Sequence, residues 1–447
     1  MEETLARIIA MRKSDWLPII EREIPEEIIE EYKRTSGKKY RDRKYSFGIT
    51  LEGLIYQASQ SDKSEQYTVV HISEHYKQLQ KEYEILQAKE METKALKKNY
   101  EKPGRPKSNI PHIQKSKLQE LSLNTASYDE ARKRLPVELV KKVFESTAEK
   151  FQPAGNESET TWKGHNVFAT DGTTFKMVDS EELRNTFKGV NESQPQPVPV
   201  GRLQGLVNLY KGGLVAVEID SYGSSEGRML KRMYSHIPEG TILLGDDLYS
   251  SYGHFAYSQK KNIHMISQGK HHRNESIVKV FSGSDCLVKL TRSRQEPRWY
   301  DESDELPEEM IVRKITVINA AKPNEVINIY TTLLDCEKYP AADIAVLYLF
   351  RWDIEITFRQ IKTILEMEYL RGKTVDMVMK EIYAHLIFYN IIRKLIMENS
   401  STINGAFSPC SSSIQIDLPM VKNENQYIDK LGRSYSRKGG KRVKVNT

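Results

Sequence analysis

The stretch NVFATDGTTFKMV (166–178) runs from an apolar segment, Val167–Ala169, into Asp171-Gly172 and back to apolar residues. Asp-Gly is a turn signal between two strand-like runs, so the pattern predicts a hairpin bent at Asp171-Gly172. Working outward, strand candidates follow at 203–210 and 214–220, and a helix pattern at 226–236. A buried strand, TILLGDD (241–247), a helix over about 251–261 and a strand IHMIS (263–267) complete the series. Strands first, then helices alternating with strands, spell a mixed α/β layer built on a hairpin.

Two aspartates stand at the ends of these strands. Asp171 follows Val167–Ala169, and Asp246 follows Ile242–Leu244. Catalytic groups collect where central strands of such sheets end. A third acid, Glu355, lies in YLFRWDIEITFRQIK (348–362), a helix pattern able to cross the sheet. Three carboxylates at close quarters repel unless cations lie between them. An all-oxygen set favours Mg²⁺ or Mn²⁺. Two such ions, ~3.5–4 Å apart, activate a water or a 3′-hydroxyl for attack on a phosphodiester. The structural alternative makes Asp171 a turn residue and Asp246 a helix cap.

At about 100° per residue, Tyr348, Arg351, Glu355, Arg359 and Lys362 share an arc of roughly 80° on a continuous helix. Ile354, Phe358, Ile361 and Leu365 fill the adjoining arc. As surface ion pairs these charges are worth a few tenths of a kcal/mol each. As a functional face, Glu355 binds metal, Arg351, Arg359 and Lys362 hold phosphates, and Tyr348 packs on a sugar or base.

The length, 447 residues, allows two or three domains. Hydrophobic residues make up 38% and charged residues 29%, enough for a core within a polar protein. No apolar run approaches the ~18 residues of a membrane span, and the start, MEETLARIIAMRK, lacks a signal-peptide plan. The expectation is a cytoplasmic protein. Cys286, Cys336 and Cys410 are far apart, which argues against a structural zinc site or a disulfide framework. Net charge is +6, but it is uneven: eight Lys/Arg against Glu101 from Lys94 to Lys117, and six Lys/Arg with no acid from Arg433 to Lys444. Such runs attract phosphates, or else form solvated tails.

Residues 1–155 have helical periodicity near 3–12, 25–34, 50–60, 73–100 and 136–151. Within this region KPGRPK (102–107) sets Arg105 and Lys107 where a Gly-Arg-Pro element can enter an A·T-rich minor groove, or serve as a plain linker. Residues 156–400 hold the α/β pattern, with an antiparallel β insertion at about 270–340. Residues 401–447 form a polar, basic tail.

At this point the sequence resembles a known family. Tyr348-x2-Arg351-x3-Glu355-x6-Lys362 matches the Y-R-E-K signature of the DDE transposases of bacterial insertion sequences, the IS-four family. ATDGTTF resembles that family's first-aspartate motif, and LLGDDLYSSY its second. LSLNTASYDEARKRLP (121–136), with Arg132 and Arg134, resembles a segment ahead of the catalytic domain in many members. The resemblance covers roughly 121 to 395.

It implies a ribonuclease-H-like catalytic domain with an inserted antiparallel β subdomain, preceded by an all-helical DNA-end-binding region. It further implies cut-and-paste transposition with two Mg²⁺ ions, Mn²⁺ being a substitute, and a hairpin at the excised end. The partners implied are double-stranded DNA, as inverted-repeat ends and target, and a second copy in a homodimeric synaptic complex near the bacterial nucleoid. Asp171, Asp246 and Glu355 are then the metal-binding triad. Tyr348, Arg351 and Lys362 are contacts to the DNA end; the helix face and the Gly-Arg-Pro element read above add Arg359, Arg105 and Lys107 as candidate contacts, and the segment 121–136 adds Arg132 and Arg134. Trp299, the only tryptophan of the insertion, is the candidate to stack on a flipped base; a packed core Trp is the alternative.

The sequence departs from the family at Asp247, where Arg is common. Adjacent strand residues point to opposite faces, and the place after Gly245 selects Asp246. Asp353 is a rival to Glu355 but lies about 200° away on the helix. Two other functions share these motifs: a domesticated or inactive relative that binds DNA, and a nuclease of the same fold without strand transfer.

Overall fold

The computed structural model describes residues 16–38, 40, 43–60, 63–97, 120–153, 161–188, 197–269, 275–293, 300, 304–318 and 326–400. They form two compact units. One comprises the described residues up to Thr147 together with Ile361–Ile392; the other comprises Ala148–Gln360 with the chain from Arg393.

In the first unit every described element before residue 150 is a helix: α1 Trp16–Glu23, α2 Glu26–Thr35, α3 Phe47–Ser59, α4 Glu65–Lys97, α5 Thr125–Arg134 and α6 Val137–Glu149. α3 starts on Ser46, whose hydroxyl accepts from Ile49 N at 3.3 Å, and is buried along nearly its whole length. A helix so enclosed must be apolar on all sides, and ITLEGLIY is nearly that. α4 buries Val69, Ile72 and Tyr76 near its start, while Ile85 and Leu86 further along are exposed. The charged 73–100 pattern therefore describes its outer half. α5 is capped by Asn124, whose side chain accepts from Ala126 N at 2.9 Å. The expected helix at 3–12 lies outside the described residues.

The second unit is built on one sheet. In chain order it contains β1 Val167–Met177, α7 Glu181–Thr186, β2 Val200–Asn208, β3 Leu214–Ser221, α8 Glu226–Met233, β4 Ile242–Gly245, α9 Tyr252–Lys260 and β5 His264–Gly269. β6 Glu275–Ser282, β7 Asp285–Thr291, β8 Glu309–Ile318, β9 Val326–Thr331, α10 Ala341–Leu349 and α11 Trp352–Arg359 follow. The strand order is β3-β2-β1-β4-β5-β9-β8-β7-β6. β1 is antiparallel to β2 and parallel to β4, and β4 is parallel to β5. The last helix, α12, spans Val375–Ser400.

Two expectations are corrected. NVFATDGTTFKMV is not a hairpin: β1 passes straight through Asp171-Gly172 and pairs with β2 from Phe168↔Asn208 to Lys176↔Val200. The local turn signal loses to a long ladder, and the glycine serves close packing instead. The strands of the insertion are antiparallel, but they extend the main sheet, since β9 pairs with β5 through Ile266↔Thr331.

The core of this unit joins the sheet's Phe168, Leu206, Leu243 and Met265 to Leu230 and Met233 of α8 and Phe255 of α9. Arg313 of β8 is fully buried. It grips Asp285 of β7 with two donors, at 2.8 and 2.5 Å, and donates to Tyr339 O at 2.6 Å, just ahead of α10. A buried guanidinium needs such complete pairing, and here it fastens the insertion to the segment that leads into the Glu355 helix. Among the described residues no helix is long and apolar enough to cross a membrane.

Candidate active site

β1 outruns its parallel neighbour. The β1–β4 ladder ends at Ala169↔Leu244, so Asp171 and Asp246 each stand just beyond its last pair. Asp171 therefore lies mid-strand with respect to β2, opposite Gly205, yet at a strand end with respect to β4. Its Oδ1 accepts from Gly172 N at 2.8 Å. Asp246 caps a 3₁₀ turn, Asp247–Tyr249, by accepting from Leu248 N at 2.9 Å. The helix-cap reading of Asp246 and the catalytic reading are thus compatible, because one carboxylate oxygen suffices for the cap.

Glu355 comes from the first two turns of α11, which packs on β1. The seat is specific. A Cβ on Gly205 would lie 3.0 Å from Cζ of Phe358. Absence of that Cβ lets the Phe358 ring settle on the strand beside Asp171, and Glu355 is one turn earlier on the same helix.

The electrostatics report the convergence. The Asp171 carboxyl is pushed up to about 7, first by burial and next by the charge of Asp246. The Gly172 N–H and Arg351 pull it down, and Glu355 adds a smaller upward push. Asp247 is exposed, and the larger charge acting on Asp171 is that of Asp246, which supports Asp246 over its neighbour. Asp353 is buried elsewhere; its carboxyl is pushed up to about 7 by burial, with Arg393 opposing.

The YLFRWDIEITFRQIK stretch is not one helix. α10 ends at Leu349, the chain turns at Phe350-Arg351, α11 runs to Arg359, and a π-helical turn occupies Gln360–Ile364. The single polar arc expected for a continuous helix is broken at both ends. Tyr348 and Arg351 are buried, Arg359 is exposed, and Lys362 belongs to the helical unit. Arg351 Nη1 donates to Glu355 Oε1 at 2.9 Å, and its guanidinium lies 5.0 Å from the Trp352 ring centre and 5.9 Å from that of Tyr348.

Of the other expected DNA contacts, Arg132 is tied to Glu65 and, at 3.4 Å, to Asp129. Arg134 is half-buried and lies near enough to Arg43 for that charge to lower its pKa, after burial. Arg105, Lys107 and Trp299 lie outside the described residues.

The donor set is chemically suited to a hard divalent cation: carboxylates that repel one another and that a cation would reconcile. Among the described residues, however, no three acidic, histidine or cysteine side chains are already drawn together tightly enough to hold an ion. Glu355 is engaged with Arg351 instead.

Sequence reasoning missed a group beside Asp171. Glu226 and Arg202, both partly buried, join the buried Gln204 and Tyr249 in a polar network against Gly172. The available signal was Gly172 itself, which reads as a turn until its partner strand is known.

A family model described as a transposase DDE domain matches residues 162–391. The transposase InsG for insertion sequence element IS4 of Escherichia coli (strain K12) is 27% identical over 283 residues, covering 62% of this chain and 62% of that protein. The putative transposase InsZ of the same organism is 32% identical over 133 residues, covering 29% of this chain and 44% of that one. The chain thus matches under two thirds of the length of each relative. The piggyBac transposase synaptic complex with hairpin DNA, a cryo-EM structure, aligns over 99% of this chain and 83% of that one at 9% identity, with a TM-score of 0.39. The match to the family model spans half of the chain, and the chain belongs to the transposase DDE domain family.

Proposed function

We propose that this chain is the transposase of a bacterial insertion sequence, cleaving DNA at the element's terminal inverted repeats and joining the freed ends to target DNA. The observation that carries the reading is the electrostatics at Asp171, whose carboxyl feels the charges of two further acids from separate elements, Asp246 and Glu355. The core strand order β3-β2-β1-β4-β5, with β1 antiparallel to β2 and parallel to β4, supports a ribonuclease-H-like catalytic fold.

In this reading Asp171, Asp246 and Glu355 hold Mg²⁺, or Mn²⁺ in its place. When bound, the metal supplies Lewis-acid stabilisation of the phosphate oxygens and lowers the pKa of the attacking hydroxyl. The chain's own residues do the rest. Arg351 neutralises Glu355 while the site is at rest and turns toward the DNA phosphates as a charged donor when the carboxylate is engaged. Arg359 and Lys362 add charge for the backbone, and Tyr348 backs Arg351. The helical region reads the DNA ends, and two copies meet on a pair of ends.

The test uses the full chain with its own element ends and Mg²⁺. Asp171→Asn, Asp246→Asn and Glu355→Gln should each abolish strand cleavage and leave end binding in gel shifts within about threefold. Cleavage by any of the three at a tenth of the wild-type rate would sink the reading. Cleavage without joined product would mark a nuclease of this fold.

A further inference from the structure

A chain of hydrogen bonds runs beside Asp171. Tyr249 donates through its hydroxyl to Glu226 Oε2 at 3.1 Å. Gln204 Nε2 donates to that same hydroxyl at 2.9 Å and to Thr170 Oγ1 at 3.2 Å. Arg202 Nη1 donates to Glu226 Oε1 at 2.6 Å. The Glu226 carboxylate lies over Gly172 so closely that a Cβ there would be 2.9 Å from its Cδ. Finally, Tyr249 N donates to Asp246 O at 3.2 Å. On either side of Asp171, Thr170 is linked to Tyr249 through Gln204, and Gly172 packs under Glu226, which accepts from Tyr249; the Tyr249 backbone is itself tied to Asp246.

We propose that Glu226 and Tyr249 are positioning residues that fix the spacing of Asp171 and Asp246 and so set how tightly the site takes up a divalent cation. The proposal rests on the carboxylate reading above. Thr170, Gln204 and Tyr249 are fully buried. Burying polar groups is unfavourable unless they are paired; here the Tyr249 hydroxyl, the Gln204 amide nitrogen and the Glu226 carboxylate are paired, which holds them in place, while Arg202 Nε and Gln204 Oε1 have no partner. A plain core would need only apolar side chains here. Donor direction is fixed along the chain, since the Gln204 amide must donate to the phenol, leaving the phenol's proton for Glu226. Arg202 matters in a second way. It cancels the charge of Glu226, so a carboxylate can pack beside Asp171 without acting as a fourth anion in the site. That pairing is also why Glu226 is assigned a holding role and not a place among the metal ligands.

Tyr249→Phe tests this with the least disturbance, because the ring stays and only the hydroxyl is lost. Mn²⁺ binding to the full chain is measured calorimetrically without DNA, thermal melting is followed in parallel, and the metal dependence of cleavage is measured on inverted-repeat DNA. Removing partners that orient metal ligands weakens metal binding about 10- to 100-fold. Tyr249→Phe and Glu226→Gln should each weaken Mn²⁺ binding by about tenfold and raise the half-saturating metal concentration for cleavage equally, with the rate at saturating metal within about threefold of wild type. Gly172→Ala, which drives the Glu226 carboxylate from its seat, should match Glu226→Ala, and the pair together should do little more than either. Wild-type Mn²⁺ affinity in Tyr249→Phe would overturn the proposal. Loss of cleavage in Glu226→Gln even at saturating metal would also overturn it, by making Glu226 a ligand. If Asp171→Asn and Asp246→Asn bind Mn²⁺ as wild type does, the carboxylate reading fails, and the positioning role with it.

Discussion

Replacing Arg351 by Gln separates a surface ion pair from a charge built into the site. An exposed i,i+4 pair contributes well under 1 kcal/mol. The Arg351 side chain, however, is only 5% exposed, against 25% for Glu355. Severing a fully buried pair costs about 3–5 kcal/mol, and the contact with the Trp352 face adds about 0.5–2 kcal/mol. With one partner buried and the other partly wet, the expected loss is about 2–3 kcal/mol, several times what the helical spacing alone suggests. Glu355 is then left facing Asp171 and Asp246 without its cation. Urea unfolding of the full chain, followed by tryptophan fluorescence with Trp352 as a nearby reporter, gives the stability change. The double variant Arg351→Gln, Glu355→Gln removes the stranded carboxylate and should recover at least half of the loss. Strand transfer should fall by a factor of ten or more in the single variant, since one charged contact to a phosphate is worth about 1.5–3 kcal/mol. A single variant within 0.5 kcal/mol of wild type, or a double variant as damaged as the two singles summed, would refute the reasoning.

Gly205→Ala brings a Cβ to 3.0 Å from Phe358 Cζ and 3.2 Å from Leu214 Cδ2; α11 must shift by tenths of an ångström, so cleavage should drop at least tenfold while urea unfolding changes by only about 1–2 kcal/mol. Asp247→Ala should keep cleavage within about threefold of wild type, whereas Asp246→Ala should remove it, as scored on labelled end fragments. His254 and His385 are both held down to about 3 from 6.5, chiefly by burial. Below 6.5 the unfolded chain takes up protons that the folded chain refuses, so their contribution is intact above 6.5 and is lost as pH falls towards 3. At pH 5 each should account for about 2 kcal/mol of lost stability, and His254→Gln should melt with a visibly flatter acid limb; an unchanged limb would contradict the assignment.

How much of this was legible in the sequence depended on distance along the chain. Strand and helix periodicity placed β2 to β5, α8 and α9 within a few residues, because each buries one face or one apolar run that local sequence displays. Asp246 and Glu355 could be picked out because each sits beside an apolar stretch that had to be sheet or helix. What failed was whatever depended on a partner far away. Asp171-Gly172 looked like a turn, since nothing local reveals that Gly172 makes room for Glu226, 54 residues on (226 − 172). The wheel drawn through 348–362 failed because it assumed one helix. The turn at Phe350-Arg351 and the π-helical turn at Gln360–Ile364 have no strong breaker residue to announce them, and no Pro or Gly falls in the stretch. The long basic runs were visible, but they lie largely outside the described residues.

The charges near Asp171 constrain what the site can accept. Asp171 feels two other carboxylates, Asp246 and Glu355, and the guanidinium of Arg351. Three negative charges and one positive leave two negative charges uncompensated when all are ionised. Glu226 does not change the sum, because Arg202 at 2.6 Å cancels it. A partly buried surplus of two is costly where the dielectric is lowered, and one divalent ion would just neutralise it. Two divalent ions would instead leave a surplus of two positive charges. That excess suits a site whose substrate brings its own anions, since a DNA end entering with its phosphates supplies the missing negative charge. In the proposed reading, the count ties full metal loading to arrival of DNA. It also gives Arg351 a reason to be at the site at rest: with the guanidinium beside Glu355, the protein can fold and wait with a smaller charge imbalance than three bare carboxylates would impose.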